Sequence, residues 1–278
     1  MKFFISLFLP LISLPVFSRT WGRIVRLRYP RFLVKRIIKR YQRAYNITME
    51  EYEGEVEDYR SLADFFVRRL DPEKRPLLPQ ENAVVSPADG ILTDVETIFN
   101  DQATQVKGKS YKISQLLHEP IDFSRGWHVA VIYLAPSNYH RYHYPVTGNI
   151  KRYFHSSGRL FPVNPTGVNR VDRLFVRNER IITEMVTRQM SCYMAAIGAC
   201  FVGSIKMEFI SGSPGKKRDQ WVSMNHQVYQ MQEMGRFDMG STIVLVIPQS
   251  MAEPLDNLIG QPVKVGQPIM NLVRCAHN

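Results

Sequence analysis

The sequence predicts an α+β protein, a β-rich domain preceded by N-terminal amphipathic helices. Three observations carry this. Short β-branched and apolar runs bounded by turn residues recur from about residue 76 onward. Helical spacing of apolar residues is confined to the stretch before Pro72, Pro76 and Pro79, which stop helices. The net charge of +11 arises entirely before Glu50. Eleven of the 36 Lys and Arg residues lie there, from Lys2 to Arg43, with no acidic residue among them. The other 25 match the 25 Asp and Glu. The chain therefore divides into a basic segment (1–48), a helical connector (49–75) and a β-rich domain (76–278).

The basic segment begins with an apolar run, Phe3 to Phe17, interrupted by Pro10 and Pro15. A spanning helix needs ~20 apolar residues, so this run is too short. Dense Arg follows it, and no small-residue cleavage motif does, which opposes a secretory signal. After Pro30, Leu33, Ile37, Tyr41 and Ala44 or Tyr45 recur every three to four residues. Lys35, Arg36, Lys39, Arg40 and Arg43 fill the gaps. Such a basic amphipathic helix suits an anionic bilayer surface. Nucleic acid is not an expected partner, because phosphate binding has no use for the 3–17 run.

Thr48 to Glu51 reads as a capping box opening a short helix. Ser61 with Asp64 opens another, whose apolar face is Leu62, Phe65, Phe66 and Leu70. Strands are expected at Val84-Val85, Gly90–Leu92, Val129–Tyr133, Phe201-Val202 and Ile243–Ile247. Cys192, Cys200 and Cys275 show no paired spacing, so neither a disulfide framework nor a zinc site is expected, and a reducing compartment fits.

The Ile243–Ile247 run follows Gly240-Ser241 directly. This pair is either a turn or a reactive peptide bond. In the second reading, the missing Cβ leaves the Gly240 carbonyl open and allows strained backbone. Ser241 Oγ then adds to that carbonyl and converts the amide to an ester. Three stretches can supply partners: Asp89 in Ser86–Gly90, His140 and His143 in Tyr139–Pro145, and Phe175–Arg180. Each also has a plain reading: an Asp-Gly turn, packed histidines, a salt-bridged loop. Asp, His and Ser are the set that activates a serine hydroxyl. No metal is expected, since His140 and His143 lack a nearby acidic or thiol third ligand. Gly108-Lys109-Ser110 is no P-loop, because Ala103 stands where its first glycine belongs.

Together these stretches resemble the phosphatidylserine decarboxylase family. The matching segments are Asp64–Arg68, Pro87–Gly90, Tyr139–His143, Phe161–Asn164, Arg177–Arg180 and Gln232–Thr242, in the family's order. Met239 departs from the family's usual Leu, a volume-conserving change that should spare processing. The resemblance implies a proenzyme cut between Gly240 and Ser241 into a larger 1–240 chain and a smaller 241–278 chain. It implies that His143, oriented by Asp89, deprotonates Ser241, and that Ser241 becomes a covalent pyruvoyl group, the sole cofactor. That group would form a Schiff base with phosphatidylserine and release CO2 and phosphatidylethanolamine. His140 would serve substrate recognition or proton transfer. A homodimer, peripheral on the cytoplasmic side of the cell membrane, is also implied. The rival readings are a non-catalytic membrane-surface module and a soluble decarboxylase of a free amino acid.

Overall fold

Ile243–Ile247 is an unbroken apolar run because its strand is buried on both faces. The structure is a computed structural model that describes residues 24–106, 108–187, 190–199, 205–209, 219–238 and 240–273. The apolar run Phe3–Phe17, the strand expected at Phe201-Val202, Met239, Cys200 and Cys275 lie outside the described residues.

The helices are α1 (Arg31–Ala44), α2 (Leu62–Phe66), α3 (Ile113–Leu117), α4 (Pro165–Arg170) and α5 (Leu174–Arg177). The strands are β1 (Ala83–Val85), β2 (Gly90–Ile98), β3 (Ala103–Val106), β4 (Lys109–Tyr111), β5 (Trp127–Leu134), β6 (Arg141–His143), β7 (Gly148–Ser156) and β8 (Arg180–Thr187). They continue as β9 (Met190–Gly198), β10 (Ile205–Met207), β11 (Trp221–Val228), β12 (Glu233–Phe237), β13 (Ser241–Pro248), β14 (Ala252–Pro254), β15 (Pro262–Val263) and β16 (Pro268–Leu272). The fold is β-rich, as the sequence pattern predicts.

An eight-stranded antiparallel sheet runs in the order β11-β7-β8-β9-β13-β5-β2-β15. On one face, Ile243, Leu245 and Ile247 pack with Ile132, Tyr142 and Phe237, under a smaller sheet of order β10-β12-β6. On the other, Val244 and Val246 pack with Val129, Val131 and residues of α3 and α5. Burial of each such side chain is worth roughly 1.5–3 kcal/mol, so β13 anchors both layers. A third sheet, β1-β16-β14, brings the C-terminal residues back beside β1.

One expectation before residue 76 is corrected. Thr48–Glu51 opens no helix. Instead Tyr52 bridges Leu70, and Glu53 N–H donates to Arg69 O at 3.0 Å. The driving force is burial of the Tyr52 ring, over which the Arg68 guanidinium lies at 4.2 Å. Ser61 does cap α2, accepting from Asp64 N–H at 3.1 Å. In α1 the inward residues are Val34 and Ile38, which pack on Phe65. Leu33 and Ile37, on the apolar face expected to suit a bilayer surface, are exposed together with Phe32. Two registers of apolar residues run along α1, and contact with α2 selects the one containing Val34.

Residues 241–273 supply β13 at the centre of the large sheet, together with β14, β15 and β16. A break before Ser241 therefore leaves the downstream chain held by two full ladders. The two pieces should co-elute in native size-exclusion chromatography and separate only in denaturant.

Candidate active site

Ser241 opens β13, where the register sets it opposite Leu134 of β5 and Gly198 of β9. Gly198 is fixed by Asn178, which is fully buried. Asn178 Nδ2 donates to Gly198 O and to Phe161 O, each at 2.8 Å, and its Oδ1 accepts from Phe161 N–H at 3.0 Å. One amide thus stitches the Phe161–Asn164 loop to the strand that faces Ser241. The Ser241 side chain is itself fully buried, and among the described residues its Oγ has no hydrogen-bond partner. A buried hydroxyl left unpaired costs about 1–3 kcal/mol, so the arrangement calls for a reason beyond stability.

Gly240 lies outside the left-handed region, and a methyl group built on it meets no heavy atom of the described residues within 4 Å. The expected backbone strain is therefore not what requires glycine here. Access to the carbonyl remains as the reason.

The loop from Leu134 to His140 is pinned at both ends to the segment 237–241. Leu134 pairs with Ser241, and His140 O accepts from Phe237 N–H at 2.9 Å. Between those points Arg68, almost wholly buried, donates to Ser137 O at 2.6 Å and Asn138 O at 3.3 Å. Tyr41 of α1 donates to Pro136 O at 2.9 Å. These bonds bury His140 completely, with its ring centre 4.0 Å from that of Phe66. His140 Nδ1–H donates to Asn138 O at 2.8 Å, which makes Nε2 the basic nitrogen. That Nε2 is buried and has no partner among the described residues. Burial pushes the His140 pKa down to about 3, and the Arg68 charge adds to this against the Asn138 carbonyl. His140 is therefore a neutral imidazole with a free lone pair.

His143 lies three residues on in extended backbone, which turns it to the opposite face. Its Nδ1–H donates to Met231 O at 2.7 Å, and Nε2 accepts from the Tyr139 hydroxyl at 3.0 Å. Burial lowers its pKa, while the Met231 carbonyl and the charges of Glu233 and Asp89 oppose that shift. Asp89 receives both arms of Arg75, at 2.8 and 2.6 Å, and Val265 N–H at 2.8 Å. Burial works against the Arg75 charge, but the Asp89 hydrogen bonds and charge outweigh it and hold the proton more tightly. His143 N–H donates to Pro87 O at 2.8 Å, which straps the Asp89 turn to β6.

The predicted residues thus fall into two groups. Asp89 and His143 share one corner, with Tyr139 and Arg75. Ser241 and His140 are linked only through backbone, by the Leu134–His140 loop whose ends pair with Ser241 and Phe237. No hydrogen bond joins Asp89 to His143. Sequence reasoning missed Arg68, Arg75 and Tyr139 as organisers and did not single out Asn178 within its segment. Arg68 and Asn178 lie inside the matching segments and were legible there, whereas nothing local marked Arg75. Among the described residues no group of three or more His, Cys, Asp or Glu is placed to hold a metal. On the opposite face of β13, the Thr242 hydroxyl is buried at the wall of a cavity of about 390 Å³, lined also by Asp94, Tyr133, Val163 and Phe175.

A model of the phosphatidylserine decarboxylase family matches residues 62–271. The chain is 36% identical to the phosphatidylserine decarboxylase proenzyme of Brevibacillus brevis, over 85% of this chain and 86% of that protein. It is 34% identical to the proenzyme of the same name from Nitrosococcus oceani, covering 97% and 91% of the two chains. The corresponding protein of an Anaeromyxobacter species is 33% identical, with 96% and 98% covered.

The Gly240→Ala protein should fold with a stability within ~0.5 kcal/mol of wild type by urea titration, because the added methyl has open space. The buried neutral His140 gives a pH dependence of known sign. Its folded pKa of about 3 lies below the ordinary imidazole value of 6.5, so the unfolded chain binds the extra proton between them. This stability is complete above pH 6.5 and falls as pH drops towards 3, by ~1.4 kcal/mol per pH unit for one proton. Denaturant midpoints across that range should show a shallower decline in His140→Gln than in wild type.

Proposed function

The chain belongs to the phosphatidylserine decarboxylase family, and from that membership we propose that it is a self-cleaving proenzyme that converts phosphatidylserine to phosphatidylethanolamine and CO2. The observation that carries the reading is the buried, unpartnered Ser241 Oγ next to an unobstructed Gly240, at the head of a strand paired on both sides.

Ser241 Oγ gives its proton to a histidine and attacks the Gly240 carbonyl carbon. The peptide C–N bond breaks, the proton passes to the nitrogen, and an ester results. Loss of the residue 241 Cα proton and cleavage of the Cβ–Oγ bond release chain 1–240 as the Gly240 carboxylate. Dehydroalanine remains at residue 241, and water converts it to a ketone with release of ammonia. No oxidant or reductant enters. The pyruvoyl group so formed supplies an electrophilic carbonyl for the lipid amine and an electron sink as CO2 departs. The protein's part is to bury that terminus, fix it through Leu134 and Gly198, and offer neutral imidazoles for proton movement. The cavity beside Thr242 has room for a polar head group next to the new terminus.

His143, backed by Asp89, is the proposed base for cleavage, and His140 serves decarboxylation. In the folded precursor Tyr139 occupies His143 Nε2 and Arg75 occupies Asp89, so this assignment requires those contacts to rearrange. A second reading has its own support: the free basic nitrogen is that of His140, on a loop pinned to Ser241. The exposed Leu27, Tyr29, Phe32, Leu33 and Ile37 among unbalanced Arg and Lys support peripheral attachment to an anionic membrane surface, on its cytoplasmic side. Among the described residues no helix is long and apolar enough to cross a membrane.

Intact mass spectrometry tests the reaction class first. Two chains split after Gly240, the smaller blocked by a pyruvoyl terminus, are expected, and a single full-length chain from natively folded protein would overturn the proposal. His143→Ala and Asp89→Ala should slow cleavage at least tenfold. His140→Ala should cleave normally yet lose ~10²-fold or more of decarboxylation of phosphatidylserine vesicles. An uncleaved His140→Ala beside a cleaved His143→Ala would pass the base role to His140.

A further inference from the structure

The residues before α1 and the turn before α2 enclose two adjoining crevices of about 460 and 310 Å³, and Arg28 and Arg60 line both. Among the described residues neither guanidinium makes a hydrogen bond or ion pair. The larger crevice adds Arg26, Lys206 and Arg236, with the carboxylates of Asp64 and Asp238 in its lining and Glu208 paired to Arg236 at 2.6 Å. Both carboxylates are engaged, Asp64 with Arg60 N–H at 3.0 Å and Asp238 with Arg26. Among the described residues this leaves Arg28, Arg60 and Lys206 without an ion pair, against the single carboxylate of Asp64. The same segment exposes Tyr29 (78%) and Phe32 (75%), with Ile24 and Leu27 half exposed. A site lined by forked guanidinium donors, with exposed apolar side chains nearby in sequence, matches a molecule with a phosphate at one end and hydrocarbon at the other.

We propose that this crevice binds the phosphate of a non-substrate anionic phospholipid, seating the protein on the bilayer with Asp238 beside the bound head group. The inference rests on the membrane attachment proposed above and deepens it, by assigning the charge dependence to one place. The Arg26–Asp238 ion pair puts that place two residues upstream of Gly240. Diffuse attraction of the whole basic segment would instead depend on the number of charges and not on their location.

The test is sedimentation of full-length protein with phosphatidylcholine vesicles containing or lacking phosphatidylglycerol, a lipid with no serine to decarboxylate. Arg28→Gln/Arg60→Gln should lose the phosphatidylglycerol-dependent increment by roughly tenfold or more, at ~5-fold per cation. Lys39→Gln/Arg43→Gln removes the same charge elsewhere on the segment and should lose far less. Equal losses in the two double variants, or none in either, would overturn the proposal. Arg28→Lys/Arg60→Lys keeps the charge and should still weaken binding, because the fork is gone. With wild type alone, inorganic phosphate should displace the protein from vesicles more strongly than chloride at equal ionic strength, and equal displacement would also overturn the site. Chain cleavage and decarboxylation in detergent-dispersed phosphatidylserine, read on the same samples, should be unchanged. Their absence in wild type would count against the enzyme assignment and not against the crevice.

Discussion

The rest of the structure depends on the pairing of β13 on both sides from its first residue. Ser241 is at once the start of the central strand and the partner of Leu134 and Gly198. Its neighbours Ile243 and Val244 enter opposite core layers. A side chain placed there has almost no freedom, since the ladders fix the backbone and interior packing fixes the rotamer. The unmatched Oγ therefore sits in a location that the fold determines independently of any hydrogen bond the hydroxyl makes.

The second constraint is the loop from Leu134 to His140, which reaches the site only because residues far away in sequence hold it. Arg68 bonds its carbonyls, Tyr41 bonds Pro136, and Phe66 covers the His140 ring. Tyr41 belongs to α1 and also contacts Phe66 edge-on, with ring centres 6.4 Å apart. The N-terminal helix is thus in mechanical contact with the histidine through one aromatic ring. A segment proposed to meet a lipid surface on its outside, while it supports His140 on its inside, would link location to chemistry by packing alone.

Strand content was legible wherever burial on both faces produced unbroken apolar runs, as in Val129–Tyr133 and Ile243–Ile247. The Ser61 cap was legible because capping is a local hydrogen bond with a fixed spacing. Thr48–Glu51 had the same local signal and failed, because burying Tyr52 against Leu70 and Arg68 outweighed one cap. The inward register of α1, Val34 and Ile38, was not legible for a related reason, since only the partner helix decides which of two apolar registers is covered. For the site, residue types pointed to Ser241, His140, His143 and Asp89, but nothing in the spacing revealed that Arg75 takes the Asp89 carboxylate. That pairing joins residues 14 apart through a turn, and the sequence between them carries no periodic signal.

The two sides of the Gly240-Ser241 bond are held very differently. Downstream, Ser241 is locked into two ladders and fully buried. Upstream, Gly240 belongs to no strand, and among the described residues space lies open beside it. Scission at this bond asks little of the downstream chain, which keeps every strand it contributes. Only the upstream end gains freedom, and the space beside Gly240 is where it can move aside. An electrophile created at residue 241 would then be a rigid terminus with a newly opened approach, held by backbone pairing that formed when the precursor folded. The same asymmetry explains why a hydroxyl is left unpaired here at a cost to stability. A partner strong enough to satisfy Ser241 Oγ would also hold it away from the Gly240 carbonyl.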